Sequence, residues 1–139
     1  SLCLCCVKKR IPDHLKEAVG TWQCIPQPGV CFRLSVFESG WIEMCELHYP
    51  NPKKIIRGQA MKWQITGHKT VHVTCQKWCW VFHLNLQVSS RSSLSSTLND
   101  ESDYLLDPDP VIDLFVNGDK YRKIGNPMVF KQQTSGTTS

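Results

Sequence analysis

Hydrophobic and polar positions alternate with a period of two through much of the chain, most densely in Val71 to Val88, V-H-V-T-C-Q-K-W-C-W-V-F-H-L-N-L-Q-V. Trp78, Trp80, Phe82, Leu84, Leu86 and Val88 share one phase, and Lys77, Cys79, Val81, His83, Asn85 and Gln87 share the other. Alternation of this kind marks a strand with one buried face, so the stretch is predicted to be the central strand of a mostly β domain. Val71, Val73 and Cys75 are odd-numbered, whereas the apolar run from Trp78 is even-numbered. One residue must therefore be absorbed near Gln76-Lys77, by a bulge or a tight turn. A bulge is the expectation.

Shorter elements surround this core. Pro12 to Val19 reads as a two-turn helix, with Pro12 at an early position, Asp13 near the positive end and Gly20 as a stop. Thr21 to Ile25 opens a strand that Pro26, Pro28 and Gly29 break. Val30, Phe32, Leu34 and Val36 alternate in the next strand, and Trp41 to Leu47 returns beyond a Glu38-Ser39-Gly40 turn. Tyr49 to Lys54 reads as a loop by its prolines, and Ile55-Ile56 restart the sheet. Gly58 is a candidate bulge, and Met61, Trp63 and Ile65 are expected on one face. Asn117-Gly118, between Ile112–Val116 and Lys120–Ile124, suits a type I′ hairpin. Residues 89–110, Ser-rich and then acidic, are expected to form a mobile loop, and residues 131–139 a polar, disordered tail.

Seven to nine short strands with regular turns predict an all-β, mainly antiparallel fold. The expectation is one β-sandwich or partly open β-barrel built from residues 12–88 and 111–130, behind an N-terminal Cys/basic segment, 1–11. A chain of 139 residues suits a single domain. No apolar run approaches the roughly 20 residues of a membrane-spanning helix. The compartment is open, because the sequence starts at Ser1 and the residues encoded before it decide between secretion and the cytosol.

The net charge of +4 is uneven: residues 1–88 hold eleven Lys/Arg and five Asp/Glu, and residues 89–139 hold five and seven. The basic portion suits an anionic surface. Eight cysteines allow a disulfide framework. Against it stand the crowding of Cys3, Cys5 and Cys6 and the lack of any Asn-x-Ser/Thr acceptor site. Those three thiols, followed by Lys8, Lys9 and Arg10, instead look like an acylated, electrostatically assisted membrane anchor, since two signals together hold a protein where one does not.

His72, Cys75, Cys79 and His83 have zinc-ligand chemistry. On a helix they would fall within about 80° of arc. On a strand, four residues already span about 13 Å, so the strand prediction weighs against a shared ion. No cofactor is expected, with zinc as the alternative. No G-x-S-x-G, H-E-x-x-H, Walker or G-x-G-x-x-G motif occurs, and no enzyme is expected. Lys53, Lys54, Arg57, Lys62, Lys69 and Lys77 lie near Trp63 and Trp78. The alternation places those aromatics in the core, so nucleic-acid binding is not favoured.

Two resemblances are informative. Gly20-Thr21-Trp22, just after the predicted helix, resembles the G-x-W opening of lipocalins and cytosolic fatty-acid-binding proteins. That resemblance implies a barrel whose first strand follows a short helix or turn and whose Trp plugs the barrel end. Glu101-Ser102-Asp103-Tyr104-Leu105-Leu106 resembles an acidic dileucine sorting signal, with Glu101, Leu105 and Leu106 offered to other proteins. The leading expectation is a non-enzymatic scaffold at the cytosolic face of a membrane, analogous in design to small matrix or accessory proteins of enveloped viruses. The alternatives are a secreted, disulfide-bonded lipocalin-like barrel for a small apolar ligand, and a zinc-stabilised nucleic-acid binder.

Overall fold

A computed structural model describes residues 9–48, 51–91 and 111–131. A 3-10 helix, Asp13–Ala18, precedes eight strands: β1 Gly20–Gln27, β2 Val30–Val36, β3 Trp41–His48, β4 Asn51–Gly67, β5 Thr70–Lys77, β6 Trp80–Arg91, β7 Val111–Val116 and β8 Asp119–Gly125. Each strand pairs with the next, and β8 returns to β1, giving a closed antiparallel barrel. The all-β expectation holds. The sandwich or partly open form gives way to a closed one, because the β1–β8 pairing joins all eight described strands into one ring. That seam is short: Thr21 faces Gly125, Trp22 faces Lys123 and Gln23 faces Arg122.

The predicted central strand is two strands. β5 and β6 form a hairpin whose last pair is Lys77 and Trp80, with Trp78 and Cys79 in the turn. A two-residue turn pairs odd positions of β5 with even positions of β6, so Val71, Val73 and Cys75 face the same interior as Leu86, Leu84 and Phe82. The change of phase is thus a turn and not a bulge. Gly58 is not a bulge either. The register instead slips between Ala60 and Lys62, while Gly58 makes room for the Phe82 ring, whose edge would lie 2.8 Å from an added Cβ. The prolines also stand inside strands. Pro26 falls in a register shift of β1 beyond the β8 seam, and Pro52 lies in the part of β4 that pairs with β3 alone. At both places no ladder on the second side demands an N–H. On the other flank, Val111 to Asp113 belong to β7 and pair with Arg91, Ser90 and Ser89 of β6.

Trp22, Leu34, Val36, Ile42, Val71, Val73, Cys75, Leu84, Leu86 and Leu114 fill the interior. Leu15 and Ala18 of the 3-10 helix and Ile11 close one end. Trp22 is fully buried there, and its indole N–H donates to the Ala18 carbonyl at 2.9 Å. Lys69 Nζ ties the plug to the β4–β5 turn through Glu17, at 2.6 Å. Alternating up and down, the strands put the β1–β2, β3–β4, β5–β6 and β7–β8 turns at the opposite, open end.

A second buried layer lies on the outer face. Thr21, Ser35, Glu43 and Arg57 face one another across β1 to β4, in the phase opposite to Trp22, Leu34 and Ile42. The segment after β8 crosses them. Thr21 Oγ donates to the Asn126 carbonyl at 2.6 Å, Met128 N–H donates to Ser35 Oγ at 2.7 Å, and Phe130 N–H donates to Glu43 Oε1 at 2.9 Å. Alternate residues of an extended segment thus satisfy one polar side chain on each of three successive strands.

Candidate functional site

The open end holds a cavity of about 220 Å³. Its walls come from inward positions of β2 to β4 (Phe32, Met44 and Ile56) and of β7 and β8 (Val116 and Tyr121). The pairings Leu34–Met44 and Met44–Ile56 fix these side chains on one face. Glu46, Lys54 and Asp119 add charge to the lining. The apolar wall and polar margin are the usual composition of a small-molecule site. The volume exceeds the roughly 150 Å³ of an apolar cavity that admits benzene. It is below the roughly 300–1,000 Å³ of a drug-sized site.

Tyr121 is buried at the cavity wall, and burial, with Cys24 and Asp119 close by, pushes its hydroxyl up to about 12. Burial alone pushes the Cys75 thiol up to about 12; burial, with Asp119 nearby, also raises Cys24, and burial raises Cys45 against the lowering effect of Arg33. Raised thiols are poor nucleophiles and poor metal ligands. Both Cys75 and Tyr121 favour the neutral form in the fold, from ordinary values of 9.0 and 10.0. Their stabilising contribution is therefore full below pH 9 and is lost as pH rises from 9 to 12. Each group withdraws up to about 1.4 kcal/mol per pH unit above its unfolded value. Urea unfolding at pH 8, 10 and 11 is expected to show this loss, and a Tyr121→Phe/Cys75→Ala variant a shallower one. Equal slopes would remove the assignment.

The zinc tetrad is not assembled. Cys75 faces the barrel interior, Cys79 lies in the exposed β5–β6 turn, and His72 and His83 stack on the outer face with ring centroids 5.1 Å apart. His72 Nδ1 bonds Asn85 Oδ1 at 2.7 Å. Among the described residues, no three His, Cys, Asp or Glu side chains converge on a common point. Cys24, Cys31, Cys45, Cys75 and Cys79 are free thiols. His48 Nε2 bonds Glu46 Oε2, and His83 Nδ1 bonds His72 Nε2 and Thr74 Oγ1.

Cys3, Cys5, Cys6 and Lys8 lie outside the described residues, as do Glu101, Leu105 and Leu106. Lys9 and Arg10 run along the closed end: Lys9 N–H donates to Ala60 O at 2.9 Å, and Arg10 pairs with Glu38 at 3.5 Å. The aromatic positions need the larger correction. Trp78 and Trp80 are 82% and 73% exposed, not core residues. They extend beyond the layer that Leu84 and Leu86 bury, at the tip of the hairpin. Sequence reasoning also missed the cavity walls, since only barrel closure brings Phe32 and Met44 to Val116 and Tyr121. Comparison with protein families, with curated proteins and with solved structures finds no match to this chain.

Proposed function

We propose that the protein is a non-catalytic binding barrel that takes a small, mainly apolar ligand with one polar end into its open mouth. The observation that carries this reading is the cavity between Phe32, Met44, Ile56, Val116 and Tyr121 in a barrel plugged at its other end. The apolar body of the ligand packs on Phe32, Met44 and Ile56. Its polar end stays near the Tyr121 hydroxyl and the charged Lys54, Glu46 and Asp119. The G-x-W opening supports the same reading, with Trp22 sealing the closed end and Lys123 Nζ 6.0 Å from its ring centroid. The disulfides of the secreted alternative are not part of this reading, because the described cysteines are free.

Octanoic acid, octanol and 4-ethylphenol each have the required shape. At about 100 times its Kd, a ligand specific for the folded state adds about 2.7 kcal/mol to stability. At least one probe is expected to raise the unfolding temperature saturably in the wild type. The shift is expected to vanish in Met44→Trp, which fills the cavity. No shift with any probe, or an equal shift in the variant, would overturn the proposal.

A further inference from the structure

The β5–β6 hairpin ends in four consecutive exposed residues, Trp78, Cys79, Trp80 and Val81. Large aromatics at such exposure are costly unless something covers them. The backbone is also held in an unusual state. Trp78 has φ of 58°, and Cys79 is not in the positive-φ region. Positive φ at the first central residue is where a two-residue hairpin turn ordinarily carries glycine, and a bulky residue there is a genuine outlier. The turn is nevertheless well fixed: Lys77 pairs with Trp80, and Gln76 Nε2 donates to the Trp78 carbonyl at 2.6 Å. A strained turn that holds two indoles in solvent points to function rather than packing.

The surrounding charge selects the occupant. From Leu47 to Asn99 the chain has no Asp or Glu and seven Lys or Arg, so β4, β5 and β6 form a barrel wall free of carboxylates. Arg57 and Lys69 are paired with Glu43 and Glu17. Lys77 stands at the tip itself, its Nζ 5.5 Å from the Trp78 ring centroid. The apolar surface is small. Two tryptophans offer at most about 500 Å², less than the roughly 800 Å² per partner of a standard protein interface. A bilayer imposes no such threshold, and tryptophan concentrates at the membrane–water interface. Single-stranded nucleic acid needs successive stacking platforms along a groove, whereas these indoles stand on a convex tip beside an aliphatic Val81.

We propose that this hairpin tip docks on anionic lipid bilayers, with Trp78, Trp80 and Val81 entering the headgroup region and Lys77 meeting lipid phosphates. The tip belongs to the open end, opposite Lys9 and the plug. None of Trp78, Trp80, Val81 or Lys77 lines the cavity.

The test is co-sedimentation of the unmodified full chain with vesicles of phosphatidylcholine containing 30% phosphatidylserine. The wild type is expected to sediment with them and to bind pure phosphatidylcholine vesicles at least tenfold more weakly. Trp78→Ser/Trp80→Ser is expected to lose at least tenfold in partitioning with an unchanged unfolding temperature, and Lys77→Gln about fivefold on the anionic vesicles only. A wild type that stays in the supernatant would overturn the proposal, as would a double variant that sediments equally. Tighter binding of the wild type to a single-stranded oligonucleotide than to vesicles, lost in the double variant, would reassign the tip to nucleic acid.

Discussion

Replacing Glu43 with alanine is expected to destabilise the barrel by about 3 kcal/mol, the lower end of the range for breaking a buried ion pair by removing one partner. The lower end applies because the Arg57 side chain keeps 30% exposure while that of Glu43 has 1%. Four donors lose their acceptor at once. Trp41 Nε1 lies 2.8 Å from Oε2, Arg57 Nε 3.2 Å from Oε2, Arg57 Nη2 3.3 Å from Oε1 and Phe130 N–H 2.9 Å from Oε1. Arg57 retains the Phe130 carbonyl at 2.6 Å, which limits the damage. Glu43→Gln preserves an acceptor and the shape but not the charge, and should cost less than half as much. Denaturant midpoints at constant m-value measure both. A loss below about 1 kcal/mol in Glu43→Ala would show that water replaces the carboxylate and that the outer layer is not a closed core.

Trp22→Ala is expected to cost about 3–5 kcal/mol, the range for removing a buried large aromatic. Trp22 has no exposed surface, and the space it vacates lies between Leu15 and Ala18 of the plug and the interior strands, which are tied to each other by barrel hydrogen bonds and cannot collapse inward. Trp22→Phe retains most of the area but removes the indole donor and orphans the Ala18 carbonyl, so about 1–3 kcal/mol is expected from the unsatisfied acceptor. The exposed Trp78→Ala should stay within about 0.5 kcal/mol of wild type. Thermal and urea unfolding of the three variants would check the order. Equal losses at Trp22 and Trp78 would contradict the assignment of one to the core and the other to the surface.

Local pattern was enough for the hairpins whose turns carry their own chemistry. Asn117 and Gly118 adopt φ of 51° and 93°, as the dipeptide implies. Val30–Val36 and Trp41–His48 match the alternation read around Glu38-Ser39-Gly40. The β5–β6 turn escaped because Trp78-Cys79 has no turn chemistry, so alternation was extended through it and the tryptophans were placed inside. β4 escaped because Pro52 and Gly58 punctuate a strand of 17 residues whose first half needs no partner on the β5 side. Trp22 was legible as a plug only through the resemblance of Gly20-Thr21-Trp22 to the G-x-W opening of lipocalin-like barrels, since its own strand pattern marks it as no more than a core residue. Glu43, Ser35 and Thr21 were legible only as the polar face of strands. Their burial depends on residues about 90 to 100 positions away, between Asn126 and Phe130, and no local period encodes that. The cavity is non-local in the same way, joining Phe32 to Tyr121.

Seven of the eight strand pairings join neighbours in sequence, and only the three-pair seam between β1 and β8 brings together positions about 100 residues apart. Loop-closure entropy must be met in full at that one line, so the sheet can grow hairpin by hairpin and become a ring only in its last step. The polar lacing from Asn126 to Phe130 starts beside that line and runs over β1 to β3. It acts as a clasp, giving the final closure a set of bonds that the three strand pairs alone would not supply.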